Sequence, residues 1–337
     1  MKFFISAWAL WNTIAAVYVL DPLDNYSGPS FFNMFDFRTE NDPTGGFVDY
    51  LTQATAIQRG LIGYNPTQNR VYIGVDNKNV LGTFQTSANR GRASVRLQSK
   101  KAYTHGLFIA DFLHVPQQAC GIWPAFWTYS SQDYPRWGEI DIFESINENQ
   151  FSLNVLHTGP GCTLAGNQGG TRMTGNMYSY NCDDRATMGP FETPQSINEG
   201  CASIGSGHYG SAFNANGGGI VTMEWTDSFI RMWNFGPSNT PLNIRSSNPD
   251  TSTWGVPDFT TEGGGCPIND HFKAHNIIID ITFCGFYAGQ AYFWEQTSCF
   301  KSDPGRYPRC LDYVAANPGA FENAYWVVNS IKVYQWT

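Results

Sequence analysis

Residues 137–144 read Trp137-Gly138-Glu139-Ile140-Asp141-Ile142-Phe143-Glu144. Three carboxylates stand among apolar and aromatic neighbours, the pattern of a strand with one polar and one apolar side. Successive side chains of a strand point to opposite faces, so Glu139 and Asp141 share a side. Glu144 lies five positions beyond Glu139, and strict alternation sends it to the other side. One extra residue in a β-bulge, at Ile142 or Phe143, returns it to the shared face. The expectation is a bulged strand that packs Ile140 into the core and lines the opposite surface with three acids. The plain alternative is a solvated acidic face, and the apolar residues inside the motif together with Trp137 weigh against it.

Strand-like runs also dominate the flanking sequence. They cover residues 71–75, 93–97, 107–112, 151–157, 229–235, 277–283 and 326–334. In the 151–157 run, Phe151, Leu153, Val155 and His157 fall on one face. No stretch sustains an apolar stripe of helical period with caps, although residues 312–325 have room for one short helix. Many strands separated by Gly-, Pro- and Asn-rich turns predict an all-β fold, an antiparallel β-sandwich. Two long segments interrupt the strands, residues 159–219 and 237–267. The first is too long for a plain connection and carries three cysteines, which suits a disulfide-pinned loop region around a cleft.

The first residues have the form of a targeting signal. Met1-Lys2 gives a positive start, Phe3–Leu10 is almost wholly apolar, and cleavage after Ala16 fits a small-residue site. Residues 1–16 are therefore read as a signal peptide and residues 17–337 as a single domain of a secreted protein. No later stretch is apolar for the length that a membrane span requires. The eight cysteines, Cys120, Cys162, Cys182, Cys201, Cys266, Cys284, Cys299 and Cys310, form no C-x-x-C pair. Their even number in a secretory context points to disulfides, with the pairing left open. Asn25-Tyr26-Ser27 is an N-glycosylation sequon.

The net charge of −8 and the lack of a basic stripe exclude nucleic acid as a partner. Charged residues make up 14% of the chain and aromatic residues 15%, against roughly 25% charged in an average soluble protein. Such a surface suits a neutral ligand with stackable faces, a description that sugar rings fit. Crowding three carboxylates on one surface raises at least one pKa. A retaining glycosidase uses that cost. One carboxylate stays ionised to attack the anomeric carbon, and another holds a proton for the leaving oxygen, with the two about 5–5.5 Å apart. The chemistry calls for no cofactor and no metal.

The E-I-D-I-x-E run of Glu139–Glu144 resembles the signature of glycoside hydrolase family 16, in the bulged form of its laminarinases. Gly121-Ile122-Trp123-Pro124-Ala125-Phe126-Trp127 is similar to the segment that precedes the catalytic strand there, and Leu156-His157-Thr158-Gly159 to the strand that follows. Residues 213–219, 277–285 and 324–326 resemble secreted fungal laminarinases as well, as does the number of cysteines. The resemblance implies a jelly roll with a concave glucan cleft. It makes Glu139 the nucleophile and Glu144 the general acid/base, with Asp141 between them tuning the nucleophile. It puts His157 near the acid/base or the −1 sugar and makes Trp123 and Trp127 stacking platforms. Arg92 becomes a substrate contact, and Trp254 a residue of an outer subsite. The implied partner is a β-glucan polysaccharide, β-1,3-linked and in extension mixed-linked β-1,3/1,4, cut internally by a secreted monomer. A lectin and a transglycosylase are alternatives on the same scaffold, and the intact carboxylate trio speaks against a lectin. One departure stands out: Asp49 precedes Tyr50 where the family carries Asn, which bears on linkage preference.

Overall fold

In the strand Gly106–His114, Phe108, Ala110 and Phe112 turn into one large apolar core, while Leu107 and Ile109 turn the other way into a smaller cluster. Both faces of that strand are therefore covered, as expected of a central strand in a layered β fold. The computed structural model describes residues 17–86, 90–167, 172–205 and 209–337. The expected signal peptide, residues 1–16, lies outside the described residues.

Two eight-stranded sheets build the fold. The first runs in the order Phe259–Thr260, Ile230–Phe235, Gly219–Trp225, Gly106–His114, Tyr325–Trp336, Arg70–Gly74, Ile62–Asn65, and Tyr18–Tyr26 also pairs with Tyr325–Trp336. The second runs Asn176–Met177, Cys201–Ile204, Leu153–His157, Glu139–Glu144, Ile122–Ser130, His275–Phe283, Arg96–Tyr103, Phe35–Arg38. All neighbours within these two sheets are antiparallel. The acidic strand Glu139–Glu144 is thus interior to the second sheet, which is called the site sheet below.

Aromatic contacts knit the two layers. Phe126 of the site sheet meets Phe112 of the first sheet with ring centroids 5.4 Å apart. Phe143 approaches Trp326 at 6.4 Å. Ile140, Phe126, Phe112 and Trp326 are fully buried, and each such side chain contributes about 1.5–3 kcal/mol relative to exposure. This core removes the apolar side of the acidic strand from water and leaves its acids on the outer face of the site sheet.

The antiparallel sandwich matches the expected fold, with local differences. The run at 93–97 divides in two. Arg92–Ser94 pairs in parallel with Val48–Tyr50, and the chain joins the site sheet only from Arg96. The expected short helix begins earlier, as Cys310–Ala316 followed by a 3₁₀ turn at Pro318–Phe321. The long 159–219 segment carries two strands, Asn176–Met177 and Cys201–Ile204, which extend the site sheet beyond Leu153–His157. All eight cysteines are paired: Cys120–Cys299, Cys162–Cys266, Cys182–Cys201 and Cys284–Cys310. Cys162–Cys266 ties the two long loop regions to each other. Among the described residues no helix is long and apolar enough to cross a membrane.

Candidate active site

The register of the acidic strand contains the expected bulge. On one side Asp141 stands opposite Val155 and Glu144 opposite Leu153. Ile142 and Phe143 therefore share the single position of Asn154. On the other side Asp141 faces Trp127 and Phe143 faces Phe126, which leaves Ile142 unmatched. The slip of one residue carries Glu144 back to the face of Glu139 and Asp141. Asn154 secures the irregular turn, because its side-chain amide donates to the Ile142 carbonyl at 2.7 Å.

Neighbouring strands add the rest of the site. His157 stands directly across from Glu139. A carboxylate oxygen of Glu139, one of Asp141 and a ring nitrogen of His157 all lie within 4.8 Å of one another. His157 Nε2 is 3.6 Å from Asp141 Oδ2, and His157 Nδ1 is 2.6 Å from Asp184 Oδ1. The Trp123 indole N–H donates to Glu144 Oε1 at 2.5 Å, and its ring meets Tyr287 edge-on at 5.5 Å. The Trp127 N–H donates to Asp280 Oδ1 at 3.3 Å, while Arg96 lies over the Trp127 ring at 4.9 Å. Arg96 also approaches Asp280 at 3.8 Å and Asp42 at 4.0 Å. The site sheet therefore presents two adjoining polar clusters, one around the acidic trio and one around Arg96 and Asp280. A pocket of about 510 Å³ opens beside the second, lined by Asp42, Gly46, Val48 and Arg90, and does not extend over the trio itself.

Burial governs the electrostatics. It raises Glu139 to about 7, an effect opposed by the His157 and Arg96 charges and reinforced by Asp184 and Glu144. Asp141 is pushed far above the usual carboxylate range by burial and then by its acidic neighbours Glu139, Glu144 and Asp184. Glu144 is raised by burial, against the pull of the Trp123 hydrogen bond and the His157 charge. At His157 burial opposes the charged form, but the hydrogen bond to Asp184 and the charges of Glu139, Asp184 and Glu144 outweigh it and push the ring up to about 9. The result is an imidazolium set among acids that hold their protons strongly. Glu139, Asp141 and His157 are donor types that a cation accepts, but a ring protonated on both nitrogens has no lone pair to offer one.

The structure brings together Glu139, Asp141, Glu144, Trp123, Trp127 and His157. It does not bring Arg92 or Trp254 to them. Arg92 is fully buried, and its guanidinium donates to the carbonyls of Asp76 (2.8 Å), Asn79 and Val314. It ties the Val48–Tyr50/Arg92–Ser94 ribbon to the Cys310–Ala316 helix, and no substrate reaches it. Arg96, four residues on and across the break at Val95, is the arginine on the face of the acids. Trp254 packs with Trp233 and Phe235 in the small cluster on the outer side of the first sheet. Its N–H is held by Asn243 at 2.7 Å. Trp254 is thus a packing residue on the side of the sandwich away from the trio. Asp49 pairs with Arg90 at 3.5 Å, and alternation turns it away from Tyr50, whose hydroxyl reaches Asp280.

Residues 35–334 match the family model described as the XgeA-like catalytic GH16 domain. The chain therefore belongs to glycoside hydrolase family 16. Within it, the chain is 41% identical over 330 residues to an endo-1,3(4)-beta-glucanase of Arthroderma benhamiae, covering 97% of this chain and 67% of that protein. It is 40% identical over 334 residues to a probable endo-1,3(4)-beta-glucanase of Aspergillus fumigatus, covering 98% of this chain and 48% of the other. The chain thus spans between about half and two thirds of the length of these curated relatives. Among solved structures, laminarinase 16A of Phanerochaete chrysosporium, holding 6-O-glucosyl-laminaritriose in its donor and acceptor sites, is 38% identical with a TM-score of 0.83 over 95% of this chain and all of that one. An elongating family 16 beta-1,3-glucosyltransferase is also 38% identical, with a TM-score of 0.81 over 94% of this chain and 100% of that one.

Proposed function

We propose that this protein is a secreted, monomeric, retaining endo-glycosidase that hydrolyses β-1,3-glucan and, in extension, mixed-linked β-1,3/1,4-glucan. The observation that carries the reading is the bulged strand that sets Glu139, Asp141 and Glu144 on one face, with Glu144 held by Trp123 and Glu139 backed by His157. In this reading the Glu139 carboxylate attacks the anomeric carbon. Glu144 gives its proton to the departing glycosidic oxygen, and a covalent glycosyl-enzyme forms. Glu144, now a carboxylate, takes a proton from water, the water attacks the anomeric carbon, and Glu139 is released. Asp141 has the strongest hold on a proton and so serves as a hydrogen-bond donor to the nucleophile. The cationic His157 offsets the accumulated negative charge. Trp123 and Trp127 offer their rings to the sugar chain beside the trio. The four disulfides and the fungal relatives support action outside the cell.

A second reading is transglycosylation, favoured by the solved relative described as an elongating beta-1,3-glucosyltransferase. The two reactions share the glycosyl-enzyme and differ in whether water or a sugar hydroxyl resolves it. Product sizing from laminarin, lichenan, cellulose and an agarose control separates them. Shorter oligosaccharides from laminarin are expected, and the lichenan yield sets the tolerance of 1,4 bonds. Chains longer than the substrate point to transfer, and no cleavage by folded protein overturns both readings.

A further inference from the structure

Asp184 was invisible to sequence reading, and it has an unusual place. It lies in the 159–219 segment, 27 residues from His157 along the chain. Its side chain is buried, yet both of its oxygens are used. Oδ1 takes His157 Nδ1 at 2.6 Å, and Oδ2 accepts the Tyr134 hydroxyl at 2.8 Å. The backbone around it is fixed at several points. The Asp184 N–H donates to the Thr158 carbonyl at 3.1 Å, the Thr158 N–H donates to the Cys182 carbonyl at 2.7 Å, and the Asn198 N–H donates to the Asp184 carbonyl at 2.7 Å. Two residues upstream, Cys182 is bonded to Cys201 at the start of the adjoining strand of the site sheet. Gly200, at φ +63°, closes the back of the imidazole, where a Cβ would fall 2.9 Å from His157 Nδ1. A loop held this firmly delivers one carboxylate to the far side of one ring.

We propose that Asp184 is a positioning residue for the glycosidic reaction: it orients His157 through Nδ1 and so aims Nε2 at the Glu139–Asp141 pair, with Tyr134 holding Asp184 in place. The proposal rests on the reading of Glu139 as nucleophile. The hydrogen bond one imidazole nitrogen makes decides the state of the other. With Nδ1–H committed to a carboxylate, a proton on Nε2 makes the imidazolium, the form that steadies an ionised Glu139 directly across the strand pair. The ionisable groups facing His157 are Glu139, Asp141 and Glu144 from the acidic strand and Asp184 from the loop. Gly200 adds none, and Arg96 acts on Glu139 from the next cluster. At His157 burial is therefore opposed by acids alone, and of these Asp184 is the one that does not belong to the proposed reacting trio.

The test is Asp184→Asn, with Tyr134→Phe as a milder second variant on a half-exposed side chain. His157 is titrated by NMR of its ring nitrogens, and kcat and KM on laminarin are measured across pH. In Asp184→Asn the His157 midpoint is expected to fall by about one unit or more. A midpoint that starts at about 9 and falls by about one unit leaves the ring largely cationic at neutral pH, and the same substitution removes the Asp184 charge that raises Glu139, so the acid limb of kcat/KM moves to lower pH. The value of kcat drops on the order of ten- to a hundredfold with KM within about threefold, the scale of losing an orienting partner to an active-site histidine. Tyr134→Phe keeps the Asp184 charge but frees its second oxygen, so it shows a smaller displacement of the His157 midpoint. A folded Asp184→Asn whose His157 midpoint and acid limb both stay in place overturns the proposal, whatever happens to kcat. If that variant does not fold, an unmoved midpoint in Tyr134→Phe does the same. The titration needs no substrate, so a failure of the wild type to cleave laminarin sinks the proposed function separately.

Discussion

Two tryptophan-bearing surfaces lie on opposite sides of this sandwich, and they differ in what the indole N–H groups touch. On the site sheet Trp123 and Trp127 donate to carboxylates, Glu144 and Asp280. On the outer side of the first sheet Trp233 donates to the Gly255 carbonyl at 3.2 Å and Trp254 to Asn243, with the two rings 5.4 Å apart. The second surface closes on itself: Trp233 and Trp254 are 3% and 6% exposed. The first leaves its rings half-open and couples them to acids whose protonation is already perturbed. In the proposed function, the tryptophans that meet the sugar are those whose partners are groups with chemistry to do, and neither abundance nor loop setting carries that information. The same holds for the arginines. Arg92 gives its guanidinium to backbone carbonyls, to Asp76 and to the Phe321 ring inside the protein, whereas Arg96 lies over Trp127 and between two aspartates on the side of the acids.

The sharpest way to break this contrast is Glu139→Gln. Loss of the proposed nucleophile is expected to lower kcat by ~10⁴-fold or more, measured on laminarin under saturating conditions. Stability should move in the opposite direction, with a sign set by linkage. The folded-state pKa of Glu139 is raised by burial to about 7. The stability this group contributes is therefore full below its unfolded value and is lost as pH rises through about 7. Glutamine does not titrate, so the melting temperature of the variant relative to wild type should climb between about pH 5 and about pH 8. A flat difference across that range contradicts the buried, raised carboxylate. A smaller effect separates the two tryptophan surfaces. Trp123→Phe removes the hydrogen bond to Glu144 and is expected to cut kcat about tenfold, a barrier change of about 1.4 kcal/mol. Trp254→Phe should leave activity per folded molecule unchanged and lower stability by about 1 kcal/mol, the net contribution of a typical hydrogen bond, read by denaturant unfolding. Equal loss of activity in both variants erases the distinction between the surfaces.

What was legible in the sequence was what is local. The acidic strand carries its own burial pattern, and the spacing of Glu139 and Glu144 demands a bulge, so the face shared by the trio could be read from eight residues. The alternation of Phe151, Leu153, Val155 and His157 placed the histidine on the right side for the same reason. Arg92 was misread because the chain leaves one strand pair and enters another at Val95, and a simple run of β-formers does not reveal a change of sheet. Trp254 was misread because a Gly- and Pro-rich loop looks the same whether its aromatic faces a ligand or folds back onto a sheet. Asp184 carries no periodic signal. Its place depends on a disulfide and on backbone bonds to Thr158 that form only in the folded chain. Cys120 pairs with a cysteine 179 residues away, a closure that spacing alone does not indicate.

The central claim is that Glu139 forms the covalent bond to the sugar. It is tested most directly by trapping the enzyme with a 2-deoxy-2-fluoro β-1,3-gluco-oligosaccharide that bears an activated leaving group, followed by peptide mass spectrometry. The account predicts a stoichiometric adduct on Glu139, and none in Glu139→Gln. An adduct on Asp141 or Glu144, or full turnover of the reagent by Glu139→Gln, contradicts it.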